Sequence, residues 1–384
     1  MKRLIGLAVL VAAGLAGCDW IKSPGGEDVS PPAALTEFSA SLPVTRLWAR
    51  DLGDGAGKAG LRLRPAYSDG RVFASDSSGS VAAFDAASGA PAWQVDLGQP
   101  LSSGPGVGDG LVVVGGIDGA VSALSATDGR QRWVARASSE VLAPPAVAAG
   151  VVVVRAQDGR LFGFDAADGK RRWVFDRGVP LLSLRGNGPP LVADGVVYAG
   201  YDNGKIVALN LSDGILRWEQ TLAQPEGRTE LERMVDVDGE LTFGRGELFA
   251  ASHRGQVGAI TPDNGRLVWS REFSSTVGVA LAGDRLVVVG VDGAVAALDV
   301  RSGAALWKQE GLAFRWPGTP AVVGSHVLVG DFEGWLHWLS MEDGSFAARQ
   351  RQGDAGIRAA PLAVGDVVYV ASAEGELAAW RVGG

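Results

Sequence analysis

The sequence predicts an all-β fold, specifically an eight-bladed β-propeller. Three observations support this prediction: a repeat with a period of roughly forty residues, Asp-Gly-type turns at a fixed position in each repeat, and a composition rich in glycine. Glycine accounts for 56 of the 384 residues and hydrophobic residues for 47%. This composition excludes a disordered chain and favours many short strands joined by turns.

The N-terminus has the features of a targeting segment. In "MKRLIGLAVLVAAGLAGC" two basic residues precede an apolar run, and small residues precede Cys18, the single cysteine of the sequence. The stretch Leu15-Ala16-Gly17-Cys18 resembles the lipobox of bacterial lipoproteins, in which cleavage leaves a lipidated N-terminal cysteine. Residues 1–17 are therefore predicted to be a lipoprotein signal peptide, and Cys18 the lipidated residue. The alternative is an ordinary secretory signal with a chance cysteine.

Residues 18–43 contain many proline, glycine and polar residues, so they are predicted to form the lipidated cysteine and a flexible tether. Residues 44–384 are predicted to form the propeller. Asp19 complicates the destination of the anchor, because an aspartate directly after the lipidated cysteine resembles the enterobacterial signal for retention in the inner membrane. The sequence therefore leaves both the outer and the inner membrane as possible destinations of the lipid anchor.

Eight copies of one pattern follow the tether. For example, "DGRLFGFDAADGKRRW" (158–173) matches "DGAVSALSATDGRQRW" (118–133) and "NGKIVALNLSDGILRW" (203–218). Alternating residues between glycine turns are typical of antiparallel hairpins, and four strands per repeat is the pattern of a propeller blade. The turn glycines that count the blades are Gly79, Gly119, Gly159, Gly204, Gly255, Gly293, Gly334 and Gly375.

The two ends of the propeller region complement each other. The last copy, "EGELAAWRVGG", stops before its fourth strand, whereas "VTRLWARDLG" (44–53) has no strands before it. We therefore expect the N-terminal strand to complete the eighth blade and close the ring. Closure removes exposed sheet edges, which would otherwise promote aggregation.

One tryptophan recurs at the same position in most copies, and a structural role is favoured over a cofactor role. A large aromatic side chain at a fixed register would wedge between neighbouring blades and bury much surface. The seventh copy departs from the pattern, with Ala348 where tryptophan is expected. The recurring residues are Trp48, Trp93, Trp133, Trp173, Trp218, Trp269 and Trp307.

Nothing in the sequence argues for catalysis. The formal net charge is −8 and no basic patch is evident, so nucleic acid is not an expected partner. The three histidines, His253, His326 and His337, lack metal-ligand spacing, and the recurring Asp-Gly pairs are explained by turn formation. The sequence therefore predicts a non-enzyme without a metal, a cofactor or catalytic residues.

The repeat resembles the pyrroloquinoline-quinone-type repeat of quinoprotein dehydrogenases and of the BamB family of outer-membrane assembly lipoproteins. With a lipobox and a short tether, the resemblance to the BamB family covers essentially the whole chain. It implies a scaffold of the β-barrel assembly machinery (the Bam complex) that docks on the POTRA domains of BamA and assists unfolded outer-membrane proteins. "LSLRG" (182–186) and "DVD" (236–238) are similar to two family segments. The contact residues that this similarity implies are Leu182, Leu184, Arg185, Asp236 and Asp238.

The spacing between repeats points to the same two segments. From each tryptophan to the start of the next blade the chain takes 12 residues after Trp93 and Trp133, but 17 after Trp173 and 23 after Trp218. Such connections emerge on one face of a propeller, so the two long ones should be neighbours and could bind a partner. The connector after Trp48 is also 17 residues long, but its composition indicates flexibility. Alternatively, the leucines point inward and the aspartates only shape a turn.

Two other functions stay open from the sequence. A membrane-tethered periplasmic quinoprotein dehydrogenase would share the repeat, but such enzymes typically have longer chains and often an adjacent cysteine pair. A propeller that binds a glycan or a peptide in its central funnel is the third possibility.

Overall fold

The computed structural model describes residues 31–57, 61–178, 180, 188–229 and 231–383. In these ranges the chain forms eight four-stranded antiparallel sheets, arranged as the blades of a propeller. The three-residue strands of neighbouring blades contact one another and therefore lie innermost. No helix in the described ranges is long and apolar enough to cross a membrane.

The strands are numbered in chain order, and blades 1 to 7 each contain four consecutive strands from the inside outward. Blade 1 contains β2 (Ala66–Ser68), β3 (Arg71–Ser75), β4 (Ser80–Asp85) and β5 (Pro91–Asp96). Blade 2 contains β6 (Gly106–Gly108), β7 (Leu111–Gly115), β8 (Ala120–Ser125) and β9 (Gln131–Arg136). Blade 3 contains β10 (Ala146–Ala148), β11 (Val151–Arg155), β12 (Leu161–Asp165) and β13 (Arg171–Phe175). Blade 4 contains β14 (Leu191–Ala193), β15 (Val196–Gly200), β16 (Lys205–Asn210) and β17 (Leu216–Thr221).

The second half of the chain repeats this arrangement. Blade 5 contains β18 (Thr242–Gly244), β19 (Glu247–Ala251), β20 (Gln256–Ile260) and β21 (Leu267–Glu272). Blade 6 contains β22 (Ala280–Ala282), β23 (Arg285–Val289), β24 (Val295–Asp299) and β25 (Ala305–Gln309). Blade 7 contains β26 (Ala321–Val323), β27 (His326–Gly330), β28 (Trp335–Ser340) and β29 (Phe346–Arg351). Blade 8 contains β30 (Leu362–Val364), β31 (Val367–Ala371), β32 (Glu376–Val382) and, from the N-terminal side, β1 (Val44–Asp51).

The strand sequences follow from their place in a blade. The second and third strands are covered on both faces by neighbouring blades, so β11 is buried at every position and consists of four valines and an arginine. The outermost strands expose much more of their length, and in β13 the side chain that is buried is Trp173. The cores between blades are therefore built mainly from continuous apolar strands.

Ring closure is as the sequence predicts. Strand β1 pairs antiparallel with β32, from Val44 opposite Val382 to Asp51 opposite Glu376, with a bulge between Arg46 and Trp48. The N-terminal strand thus supplies the outer strand that the last repeat lacks. The prediction of eight blades closed in this way is confirmed.

The recurring tryptophans pack between blades, which confirms their structural interpretation. For Trp173 in blade 3, the indole Nε1 donates a hydrogen bond of 2.9 Å to the Leu211 carbonyl oxygen of blade 4. The same ring covers Gly214 so closely that a Cβ there would lie 2.7 Å from indole carbons. The equivalent pairs of ring and glycine are Trp48 and Gly89, Trp93 and Gly129, Trp133 and Gly169, Trp218 and Gly265, Trp269 and Gly303, and Trp307 and Gly344.

In blade 7 the tryptophan missing from the outer strand is replaced by a tryptophan on the neighbouring third strand. In blades 1 and 2 a small residue of the third strand faces the tryptophan of the outer strand, as Ala123 faces Trp133. In blade 7 the order is reversed, since Trp338 on β28 faces Ala348 on β29. Trp338 is fully buried and meets Trp380 of blade 8 edge-on, with ring centroids 6.3 Å apart. The large side chain is therefore kept at this interface, on the other strand.

Part of the predicted tether lies on the propeller. Residues 32–384 form one compact unit, and the backbone amide of Ser41 donates to the Ala347 carbonyl oxygen at 2.9 Å. Phe38 stacks on Phe346 of β29, with ring centroids 5.6 Å apart. The sequence did not predict that residues 32–43 follow the outer edge of blade 7.

Candidate partner-binding site

The connection between β17 and β18, residues 222–241, is the longer of the two junctions singled out in the sequence. Its outer part is organised by Glu232, whose carboxylate accepts hydrogen bonds from the backbone amides of Arg228 at 2.7 Å and Thr229 at 3.1 Å. Arg254 of blade 5 donates to the Leu231 carbonyl oxygen at 2.7 Å, while the Leu231 side chain is 55% exposed. The connection thus exposes the Leu231 side chain on a turn that is held by several hydrogen bonds.

The inner part of this connection is buried between blades 4 and 5. Val235 and Val237 point into the protein, and the Val237 amide donates to the Tyr201 carbonyl oxygen at 3.1 Å. Asp236 is also fully buried, and its carbonyl oxygen accepts a hydrogen bond of 2.8 Å from the His253 amide. The "DVD" segment is therefore fixed on both sides by main-chain hydrogen bonds, and its aspartates are buried.

Asp238 stands out as a carboxylate placed in an unfavourable environment. It is only 8% exposed, and within the described residues neither of its carboxylate oxygens has a hydrogen-bond partner. Burial raises the pKa of Asp238 well above its ordinary value, and the negative charges of Asp202 and Asp236 add to this effect. A buried acceptor without a donor costs free energy, and the positive charges of Arg155 and Arg62 offset this cost only in part.

A second buried charge cluster lies beside Asp238. Arg155, at the end of β11, is fully buried, and its Nη2 donates to Asp202 Oδ1 at 3.0 Å. The same guanidinium donates to the Gly200 carbonyl oxygen and lies over the Tyr201 ring at 4.9 Å. Burial in this cluster raises the pKa of Tyr201. Arg155 therefore links blade 3 to blade 4.

Sequence reasoning missed Arg155 and Asp202, although one signal was present. At the position four residues before the turn glycine, the other seven repeats carry a small or apolar residue, whereas blade 3 carries Arg155. A charged residue at a position buried in every other blade indicates a specific partner. The identity of that partner, Asp202 in the next blade, follows only from the three-dimensional arrangement.

Other predicted site residues cannot be placed. Cys18, Leu182, Leu184 and Arg185 lie outside the described residues. The end of the first long connection is described: a Cβ at Gly188 would lie 2.5 Å from the Gly239 carbonyl oxygen. The two long connections therefore meet beside Asp238, as expected from their place on one face.

The central channel is crossed by side chains at the face that carries these connections. Arg64, just before β2 of blade 1, forms an ion pair with Glu240, just before β18 of blade 5. Arg62 donates to the Thr276 carbonyl oxygen, on the connection to blade 6, at 3.3 Å. Opposite sides of the ring are thus joined across the channel mouth. In the described part of the chain, no group of three His, Cys, Asp or Glu side chains could hold a metal ion.

Comparison with solved structures defines the class of protein. A crystal structure of BamB from Moraxella catarrhalis is similar with a TM-score of 0.82 and 28% sequence identity, covering 88% of this chain and all of that one. The quinohemoprotein alcohol dehydrogenase of Comamonas testosteroni is similar with a TM-score of 0.70 at 16% identity, over 88% of this chain and 76% of its own. The second likeness shows only the shared fold. The class is the eight-bladed propeller built from pyrroloquinoline-quinone-type repeats.

Sequence comparison identifies the family within this class. A family model described as outer membrane protein assembly factor BamB matches residues 77–309 and 291–382. The outer membrane protein assembly factor BamB of Pseudomonas aeruginosa is 45% identical over 98% of both chains, and that of Escherichia coli K12 is 31% identical over 98% of both. This chain belongs to the BamB family.

Proposed function

We propose that this chain is a non-catalytic scaffold lipoprotein of the β-barrel assembly machinery, which docks on the POTRA domains of BamA. Its relatives are named as outer membrane protein assembly factors, which supports the general role. The observation that carries the docking site is the buried Asp238 carboxylate, which lacks a hydrogen-bond donor in the described structure where the two long connections meet.

The chemistry of the junction suits a protein partner. Leu182, Leu184 and the exposed Leu231 would supply apolar anchors, and Arg185 would supply a directional donor for a partner carboxylate. A cation of the partner next to Asp238 would pair with a carboxylate that has already lost most of its water. Since that desolvation cost is met on folding, pairing there contributes more than a pair at an exposed rim.

The anchor and the clients complete the proposal. Lipid on Cys18 would hold the propeller at the periplasmic face of the outer membrane, although Asp19 keeps inner-membrane retention as the alternative. Unfolded outer-membrane proteins would be the clients of the assembled complex. Outer strands such as β9 and β13, with Val134 and Val174 about half exposed, offer edges that an extended client strand could join.

The decisive experiment is the binding of the soluble chain, beginning at residue 19, to the POTRA domains of BamA. We expect the double variant Leu184→Ala/Arg185→Glu and the single variant Asp238→Asn each to weaken binding about tenfold or more, equivalent to about 1.4 kcal/mol. Asp354→Asn is the matched control. It makes the same change on another inter-blade connection, where the carboxylate is 89% exposed and paired with Arg351.

Each outcome has a distinct meaning. Unchanged binding by both site variants would show that the contact with the POTRA domains lies on another part of the propeller. Absence of binding by the wild-type chain would contradict the scaffold role and direct attention to the quinoprotein alternative. A quinone absorbance band in the purified protein would support that alternative.

A further inference from the structure

The connection between β25 and β26 presents exposed aromatic side chains that the proposed docking site does not use. Trp316 is 66% exposed, more than any other large hydrophobic side chain in the described ranges, and Phe314 is 39% exposed. Trp316 packs against Phe332 of blade 7, with ring centroids 5.7 Å apart. We call Phe314, Trp316 and Phe332 the aromatic patch.

The two residues that carry the exposed side chains adopt an energetically unfavourable backbone conformation. Phe314 has a φ of 56° and Trp316 a φ of 48°, in the left-handed region that bulky residues rarely adopt. Between them Arg315 is almost fully buried, and its Nε donates to Asp331 Oδ2 at 2.7 Å while Nη2 pairs with Glu333. Arg315 is therefore held inward by two carboxylates, while Phe314 and Trp316 on either side of it are exposed.

Within the described residues, the N-terminal segment contacts this same connection. The Ala33 amide donates to the Ala313 carbonyl oxygen at 2.8 Å, and Arg315 Nη1 donates to the Ala33 carbonyl oxygen at 3.2 Å. Arg349 then donates to the Thr36 carbonyl oxygen at 2.9 Å. The chain that leads from the predicted lipid attachment is thus fastened beside the aromatic patch.

The length of chain before this point limits how far the patch can lie from the anchor. Fifteen positions separate Cys18 from Ala33, which is at most about 50 Å when fully extended. A lipid on Cys18 would therefore keep the aromatic patch at a high effective concentration near the bilayer surface.

We propose that Phe314 and Trp316 insert into the interface of the bilayer that holds the lipid anchor. This inference rests on the lipid anchor of the proposed function. Tryptophan is favoured at the level of the lipid headgroups, where its ring is half in apolar and half in polar surroundings. The charges beside the patch are already paired, Arg315 with Glu333 and Lys308 with Glu310, so the contact does not depend on anionic lipid.

Because Cys18 is the single cysteine of the sequence, the contact can be tested without cellular lipidation. The chain starting at Cys18 is coupled to a maleimide phospholipid in phosphatidylcholine vesicles, with or without brominated acyl chains. The emission of Trp316 is taken as the difference between wild type and Trp316→Ala, which cancels the other tryptophans, including Trp20. We expect that emission to fall at least about twofold in brominated vesicles.

The control places an equally exposed tryptophan elsewhere on the propeller. Ile215, next to β17, is 61% exposed, and Ile215→Trp in the Trp316→Ala background should be quenched little by brominated lipid. Equal emission of Trp316 in both kinds of vesicle would overturn the proposal. So would equal quenching at position 215, or protection of Trp316 from iodide by POTRA domains but not by vesicles. Because the lipid is attached chemically, none of these results depends on whether cells lipidate Cys18.

Discussion

The carboxylate of Asp238 is costly to stability, and it is the residue on which the proposed docking site rests. Its raised pKa means that the folded state disfavours the ionised form, so the contribution of Asp238 to the unfolding free energy falls as the pH rises above about 3.9, the ordinary aspartate pKa. Asp238→Asn should therefore raise the unfolding free energy at pH 7 by roughly 1–3 kcal/mol, and by less at pH 4.5. Urea unfolding at both pH values measures this, and a less stable variant at pH 7 would contradict it.

His337 should make the protein less stable in mild acid. The buried ring donates from Nε2 to Asp331 at 3.0 Å and accepts at Nδ1 from Arg349 at 3.1 Å, an arrangement that requires the neutral form. Burial lowers the pKa of His337, so stability is lost as the pH falls below about 6.5, the ordinary histidine pKa. His337→Gln should flatten the fall in unfolding free energy between pH 7 and pH 5. His326→Gln, which alters a more exposed ring, should flatten it less.

At the scale of single residues, the sequence could not predict which side chains interact with each other. The family resemblance selected Asp236 and Asp238, but burial made Asp238 an acceptor without a donor in the described structure, and burial follows from neighbouring blades. The Arg155–Asp202 pair joins residues 47 positions apart, and no local pattern encodes that distance. Leu182, Leu184 and Arg185 stay predictions.

At the scale of elements, the contact between the tryptophan of one blade and the glycine of the next is the recurring unit of stability. Trp173→Ala should lower the unfolding free energy by about 3–5 kcal/mol, because it leaves a cavity between blades 3 and 4. Gly214→Ala should also destabilise, since its Cβ would meet the Trp173 ring at 2.7 Å. The matched control is Gly195→Ala, which has the same left-handed backbone, with φ of 74° against 70°, but no atom within 4 Å of its Cβ. Equal losses for the two glycine variants would show that backbone strain alone matters.

The repeat pattern gave most of the elements correctly for a physical reason. Glycine turns and apolar strands are local features, so each repeat indicates its own four strands. Ala348 was recognised as a departure from the pattern, but its compensation by Trp338 across the same blade was not. Which of two paired strands carries the large side chain matters little to packing, so the sequence pattern at one position cannot decide it.

At the scale of the whole molecule, β1 closes the ring. A chain that begins at residue 54 would leave β32 without its outer partner and would remove Trp48 from between blades 8 and 1. We expect this chain to lose its cooperative thermal transition and to associate through the free edge of β32. Light scattering after gel filtration and thermal melting measure both effects. The control begins at residue 32 and keeps β1, and it should melt like the full mature chain; a monomeric and equally stable shorter chain would exclude a closing role.

The sequence by itself determined the number of blades, their strand order, the N-terminal closing strand and the family. These properties are repeated in the chain or joined at its ends, so local patterns are sufficient to specify them. Only the tertiary structure decided that Asp238 is buried beside Arg155 and Asp202, that residues 32–43 lie on the propeller, and that Ala33 is held beside the aromatic patch. These features arise where side chains from different blades meet, because closing the ring brings together residues that are far apart in the chain.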